Sequence, residues 1–393
     1  MRTTLTLLSL FCCSQINAFT LPQNQIKSYD CDVCSTLPHE SLQDSWKISE
    51  NLLIKTEKNV QKSYSYSQKI TAAQLQQGIN LPIHSPEAVL RIIPLQKDKA
   101  IPALEIKSTA SKFMSLKDAS SLYSQDEAID ESLRLGAHQT MLQIKPELGS
   151  GNFVIQSKHI NPSSDADQYL IHVFEKYSLI YLQVEPSELQ YQYGDQFNAL
   201  ILLKDNITSY PVDDIHASLI GPDNQIVPLE IKQVKRNQFQ ASTQLSSDDN
   251  THGGNWYIDV EVSSELDENT PTHRSARAAF SYSVPSASLM SIKKVSSKPL
   301  TLAATVNVAT ASRYALQCIL YKKNAKGEDI PVETSQSAQW LDPGKQTIQF
   351  SFDNSAHLAE DQLSIGYLHL TDYGQLKTVY QYDQPIRLSQ LLD

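Results

Sequence analysis

From Tyr181 to the end of the chain, apolar side chains recur at every second position in short runs, and Gly, Pro, Asn or Asp interrupts each run before it grows long. Extended backbone sends successive side chains to opposite faces, so a period of two buries one face of a strand and leaves the other in water. Hardly any stretch in this region carries the 3.6-residue period of an amphipathic helix. A chain so patterned has to build sheets and stack them, the signature of β-sandwiches. The plainest instance is Trp256-Tyr257-Ile258-Asp259-Val260-Glu261-Val262, where Trp256, Ile258, Val260 and Val262 point one way and Asp259 and Glu261 the other.

Turn chemistry divides the region into modules. Gly253-Gly254 precedes the Trp256 strand, Gly194-Asp195 introduces an apolar run over 197–203, and Gly221-Pro222-Asp223-Asn224 separates two more strands. Residues 276–284 complete a module of roughly a hundred residues, the size of an immunoglobulin-like sandwich, although the Cys…Trp…Cys staple of true immunoglobulin domains is missing. Pro285-Ser286-Ala287-Ser288 reads as a linker. A second cycle then starts with Leu300, Leu302, Ala304, Val306 and Val308, with further strands at 313–321, 346–352, 363–370 and 377–382. Asn324-Ala325-Lys326-Gly327 and Asp342-Pro343-Gly344-Lys345 mark turns between them.

The front third is less uniform. Thr71-Ala72-Ala73-Gln74-Leu75-Gln76-Gln77-Gly78 has capping-box spacing from Thr71 to Gln74 and a glycine stop, which predicts one short helix. Ser115 to Asp118 and Ser124 to Glu127 repeat that spacing, so 115–133 reads as a second helix or a polar loop. Strands are expected at 89–94, 141–145, 153–157 and 169–175. The expected fold class is mainly β: a β-rich N-terminal domain with short helices over 62–178, preceded by a polar lead-in arm over 19–61 and followed by two Ig-like sandwiches over 179–286 and 287–393.

Residues 1–18 read as a secretory signal: Arg2, an apolar core from Leu5 to Cys13, then a polar stretch closing on Ala18, small enough for the position before a cleavage site. Ile16 at the third position before the cut is tolerated rather than ideal. The apolar run falls far short of the ~20 residues a spanning helix needs, and no later segment replaces it, so no membrane span is expected. A lipoprotein reading needs a small residue before the modified cysteine, and Phe11 before Cys12 is bulky. The expected location is therefore secreted or periplasmic.

Losing the leader removes Cys12 and Cys13 and leaves Cys31, Cys34 and Cys318. Three cysteines make no disulfide scaffold. Asp30-Cys31-Asp32-Val33-Cys34 is open to three readings: a local disulfide between Cys31 and Cys34, which export favours; a redox pair, disfavoured because two aspartates would raise the thiol pKa; and half of a zinc site needing His39 and a distant fourth ligand. Cys318 shares a strand face with Tyr314, Leu316 and Leu320 and reads as a buried, inert thiol.

The chain carries a formal charge of −10, one unit more negative without Arg2. No dense Lys/Arg stripe with interleaved aromatics appears, Lys293-Lys294 and Lys322-Lys323 being the best clusters, so nucleic acid is not an expected partner. A serine hydrolase needs its nucleophile on a strained Gly-x-Ser-x-Gly turn; Gly149-Ser150-Gly151 is the nearest approach and reads as a hairpin turn. No two of the ten His stand at His-Glu-x-x-His spacing, and His172 in Ile171-His172-Val173 reads as a satisfied strand histidine. Gly-rich phosphate loops are missing, and no cofactor is expected. Asp213-Asp214 and Asp248-Asp249-Asn250 fall in loops where oxygens could gather around Ca²⁺, but neither has the ladder of alternating acids, so solvated turns are favoured. No catalytic or metal residue is named. Tyr outnumbers Phe by 18 to 10. Tyr191 and Tyr193 alternate along one strand and either cover the sandwich flank, the favoured reading, or present faces to ligands.

The runs Ile70-Thr71-Ala72-Ala73-Gln74-Leu75-Gln76-Gln77-Gly78-Ile79-Asn80-Leu81-Pro82, Pro146-Glu147-Leu148-Gly149-Ser150-Gly151, Tyr314-Ala315-Leu316-Gln317-Cys318-Ile319-Leu320-Tyr321 and Ser337-Ala338-Gln339-Trp340-Leu341-Asp342-Pro343-Gly344 resemble an uncharacterised family of secreted gammaproteobacterial proteins, a domain of unknown function with Ig-like C-terminal modules. The likeness spans nearly all of the chain beyond the leader. It implies fold and export, and release through a type II route by a pathogen acting on its host; it transfers no catalytic residue. The expected function is binding, to a protein or glycan surface or to another copy of the chain itself. The alternative is a secreted hydrolase with its site in the N-terminal domain.

Overall fold

The structure is a computed structural model that describes residues 19–48, 59–96, 99–126, 138–160, 167–248, 252–266, 271–353 and 359–391. It is built almost wholly from strands, stacked around three hydrophobic cores. The alternation read from the sequence is the reason: in the strand Trp256–Ser264, Trp256, Ile258, Val260 and Val262 are buried, while Glu261 is exposed.

One sheet ties the first two domains together. Its eight main strands are β1 (Ser65–Thr71), β2 (Val89–Pro94), β3 (Ser120–Asp126), β4 (Gln139–Ile144), β5 (Gln168–Phe174), β6 (Asp214–Ile220), β7 (Trp256–Ser264) and β8 (Thr272–Ser283). They lie in the order β6-β7-β8-β1-β5-β2-β4-β3. The first domain supplies β1 to β5 and the second β6 to β8; they meet where Ser275 of β8 pairs with Ser65 of β1. Each half is covered on the same side by its own smaller sheet. Ile79–Ile83, Gly151–Gln156, Glu105–Ser108 and Met114–Ser115 cover the first. Glu230–Lys235, Gln238–Gln244, Gln196–Lys204, Tyr181–Pro186 and Gln61–Ser63 cover the second.

The third domain is a separate sandwich. One sheet holds Phe19–Thr20, Ala287–Ser297, Leu300–Val308 and Gly344–Phe352; the other holds Leu42–Lys47, Asp329–Leu341, Ser312–Lys323, Leu363–Asp372 and Lys377–Tyr382. Residues read as a polar lead-in arm thus lay one strand into each sheet of the last domain, Phe19 beside Ile292 and Ser45 beside Ser335. Leu21 belongs to that domain's core, and the Tyr380 hydroxyl donates to Pro22 O at 2.9 Å.

The helix over Ala72–Gln77 forms as the sequence implies. Thr71 Oγ1 accepts from Gln74 N at 3.2 Å, Thr71 N donates to Gln74 Oε1 at 2.8 Å, and Gly78 ends it at φ 92°. Three expectations fail. The Ser115 box closes a single turn, with Asp118 N donating to Ser115 Oγ, after which β3 follows in place of a helix; residues 127–133 lie outside the described residues. Gly149-Ser150-Gly151 is not a hairpin turn, because β4 lies in the shared sheet and Gly151–Gln156 in the covering one. Ala287-Ser288 is no linker either: it opens the strand Ala287–Ser297, whose register shifts at Leu289/Ser291 and Lys294/Ser296 disrupt the period of two that would have betrayed it. Of that segment only Pro285-Ser286 connects domains, and both are buried.

Candidate functional site

Both covering sheets pack on one side of the shared sheet, and its other side is open among the described residues. Cross-strand pairing orders the side chains on this open face into rows. One row runs through His216, Glu261 and Ser275, crosses the seam to Ser65, and continues through Phe174, Val89, Gln143 and Leu122. The next pairs Asp214, Ser263 and His273 on the second domain, and Ser67, His172, Arg91, Met141 and Ser124 on the first. None of these side chains is buried, whereas their neighbours one residue along, such as Val173, Leu90, Leu142 and Val260, are.

The face is chemically divided. On the second domain Asp214 and Glu261 give it negative charge, with His216 Nε2 3.1 Å from Asp214 Oδ2 and Asp259 paired to Arg277 at 3.3 Å. On the first domain it carries Arg91, His172 and Lys69 beside large exposed apolar side chains: Leu122 is 67% exposed, Met141 42% and Phe174 38%. Arg91 Nε donates to Gln139 Oε1 at 2.8 Å and has no carboxylate partner among the described residues. Partial burial, with the Arg91 charge beside it, pushes His172 below the usual histidine range.

At the seam the two domains part to leave a groove of about 240 Å³. Ser67 and Gln68 form one wall, and Asp214, His216, Glu261, Ser263 and His273 the other. Behind it lies a buried ion pair that joins the two domains. Arg274 and Glu175 are 0% exposed in their side chains and pair at 2.8 Å. Every arm of the guanidinium is used: Nε donates to Ile180 O, Nη1 to His273 O and Glu175 Oε1, and Nη2 to Ser178 Oγ. Glu175 Oε2 takes the His84 backbone N–H at 2.6 Å, and the His84 ring lies 3.2 Å from Pro271 O and Thr272 Oγ1. A buried charge so fully satisfied holds its geometry. His273, its ring centroid 5.7 Å from that of Tyr66, is lowered by burial and by the Arg274 and His84 charges.

The residues singled out from sequence go elsewhere. Cys31 and Cys34 are bonded to each other, with Cα atoms 5.5 Å apart, which leaves no thiolate pair for zinc; His39 stacks on Trp340 at 4.1 Å. The disulfide packs at the junction of the second and third domains, against Gly374, where a β-carbon would meet both sulfurs at 2.7 Å and collide with the Tyr29 hydroxyl. Beside it Asp372, fully buried, accepts from Tyr29 Oη, Ser286 Oγ, Ser312 Oγ, Gln375 Nε2 and Gly374 N at 2.6–3.0 Å. Burial first, then the Asp372 carboxylate, raises Tyr29 far above the usual tyrosine range. Cys318 is free, buried among core residues and strongly raised by burial. Tyr191 is core, its hydroxyl donating to Asn198 O, and Lys27 lies 4.4 Å over the Tyr193 ring. Asp213 accepts from Glu265 N, Asp248 pairs with Lys27 at 3.0 Å, and Asp249-Asn250 lie outside the described residues. Among the described residues no three His, Cys, Asp or Glu gather closely enough to hold a metal ion. No helix of the described residues is long and apolar enough to cross a membrane. Of the candidates that the sequence suggests, His172 and Asp214 reach the open face. Glu261 was marked only as water-facing by its strand parity, and no motif pointed to Arg91, His273 or Arg274.

Three β-sandwich domains, two fused through one sheet with an open, charge-divided face, define a multidomain β-protein. The chain belongs to the DUF4785 family: its N-terminal domain model matches residues 33–175, the central one 178–283 and the C-terminal one 286–389. A DUF4785 protein from Legionella pneumophila, solved as a crystal structure, is 48% identical, covers 95% of this chain and 100% of its own, and superposes with a TM-score of 0.83. A tandem-repeat segment of a large adhesion protein aligns over 82% of this chain and 74% of its own at 11% identity and a TM-score of 0.23. No curated protein matches the chain.

Proposed function

We propose that this chain is an exported protein that acts by binding a protein partner through the open face of its shared sheet. The observation that carries the reading is that face: Leu122, Met141 and Phe174 stand exposed among fixed charges on a surface spanning two domains. Clusters of large apolar side chains rimmed by polar ones mark interaction surfaces. The seam groove, at about 240 Å³, is smaller than the ~300–1,000 Å³ of typical small-molecule sites, which favours a macromolecular partner over a free sugar or metabolite. Export rests on the leader read in residues 1–18, and a Cys31–Cys34 disulfide suits an oxidising compartment.

Met141 is a built-in reporter, because oxidation to the sulfoxide follows exposure. Dilute purified protein and the same protein in the fluid of its export compartment are treated with peroxide, and sulfoxide is measured at Met141 against the half-buried Met114 and Met290. Binding at the face slows Met141 severalfold in the fluid and leaves the other two unchanged. Equal rates at Met141 in both samples would falsify the face as a docking surface, and protein retained in the cytosol with its leader intact would remove export.

A further inference from the structure

We infer that the partner of the open face is a second copy of this chain, packed face to face about a two-fold axis along the β8–β1 seam; this rests on the reading of that face as a docking surface. A regularly twisted sheet is a saddle, and a half-turn about a line parallel to its strands carries the saddle onto itself. The outer surface therefore fits its own copy with the strands aligned, as sheets do within a sandwich.

The charges fit the same operation. β8, β7 and β6 are the first three strands on one side of the seam, and β1, β5 and β2 the first three on the other. The half-turn exchanges them in that order and keeps each row on itself. In the second row Asp214 of one copy then faces Arg91 of the other, and Ser263 faces His172. Glu261, in the first row on β7, comes diagonally to His172. Because the interface is isologous, each pair forms twice. Arg91 has no ion-pair partner within its own chain among the described residues and gains one of opposite sign, whereas Glu261 gains the largely neutral His172 as a polar neighbour. No single copy can bring Arg91 and Asp214 together, since five strand spacings of ~4.8 Å separate β6 from β2 by about 20 Å or more.

The overlapped area is modest. Six strands of about five residues give a flat footprint on the order of 400 Å² per copy, about half the ~800 Å² of a standard specific interface, so the dimer is weak and transient. Two copies each at −10 also repel, an effect that salt near ~0.15 M screens beyond about 8 Å.

The test is sedimentation velocity on the purified full chain between ~1 and ~300 μM at ~0.15 M salt. Wild type sediments as a monomer–dimer equilibrium. Arg91→Glu places two acids face to face at both symmetry-related contacts and weakens association at least tenfold; Asp214→Arg does the same with two cations. The double variant Arg91→Glu/Asp214→Arg restores both contacts in reverse and recovers wild-type association, a result that damage to the fold could not produce. A monomer throughout the range overturns the inference, as does a dimer indifferent to both single swaps. Met141, on β4, lies at the rim just beyond the six overlapped strands, so its protection in the export fluid while the pure protein stays monomeric means that another partner binds the face and excludes only the second copy.

Discussion

Arg274→Met asks whether the seam between the first two domains is held by charge or merely by packing. The guanidinium makes four hydrogen bonds at 2.7–3.1 Å, one to Glu175, one to Ser178 and two to backbone carbonyls. Methionine fills most of the volume and leaves Glu175 buried and without its cation. Breaking a fully buried pair from one side costs about 3–5 kcal/mol. The shared sheet makes the first two domains one cooperative unit of roughly 220 residues, for which each kcal/mol moves the midpoint about 2–4 °C, so the transition should fall by roughly 6–20 °C. Scanning calorimetry reads this directly, because the third domain has its own core and provides an internal standard. Glu175→Gln keeps an acceptor for His84 N but leaves Arg274 unpaired, and should fall within the same range. The double variant should cost clearly less than the two single losses added together. A drop under ~2 °C for Arg274→Met, or an equal drop in the third-domain transition, would refute the reasoning.

Three further outcomes follow from the structure. Gly374→Ala drives a β-carbon into the Cys31–Cys34 disulfide and the Tyr29 hydroxyl; it should cost about 1–3 kcal/mol in the third domain, measured by urea unfolding and partly recovered when Cys31→Ala and Cys34→Ala are added. Alkylation of leaderless protein under denaturing, non-reducing conditions should add one label, on Cys318, and none should add in the native state, where burial keeps that thiol protonated; mass spectrometry counts the labels. His172 and His273 are lowered in the fold, so the unfolded chain takes up their protons first as pH falls. The stability they allow is intact above the unfolded value near ~6.5 and is lost as pH drops through their folded values. Histidine NMR titrations should place both below free histidine, and a midpoint no lower at pH 5 than at pH 7.5 would contradict the assignment.

The fold was legible wherever a strand buries one face. Trp256, Ile258, Val260 and Val262 announce β7 because water on one side and core on the other force the alternation. Leu42–Lys47 has no buried residue and so shows no pattern, and Ala287–Ser297 hides behind two bulges. The open face was harder to see for a physical reason. Ser65 and Ser275 meet across 210 residues, and no local rule states that two such serines will join two domains in one sheet. Arg274 sits at a position whose parity demands a core residue, and in a strand read as Ala276 onward it looked like a flank.

The strands Phe19–Thr20 and Leu42–Lys47 complete sheets whose other members lie some 270–300 residues downstream. Closing such a loop costs roughly 2 kcal/mol more entropy than closing one of 30 residues, and the contacts that repay it arise only after the intervening chain has been made. The last sandwich is therefore sewn shut by a thread laid down long before it, so it closes only once the residues from 287 onward have arrived. A chain cut short anywhere before residue 287 would leave that thread dangling, with Leu21 and Tyr29 bare to proteases.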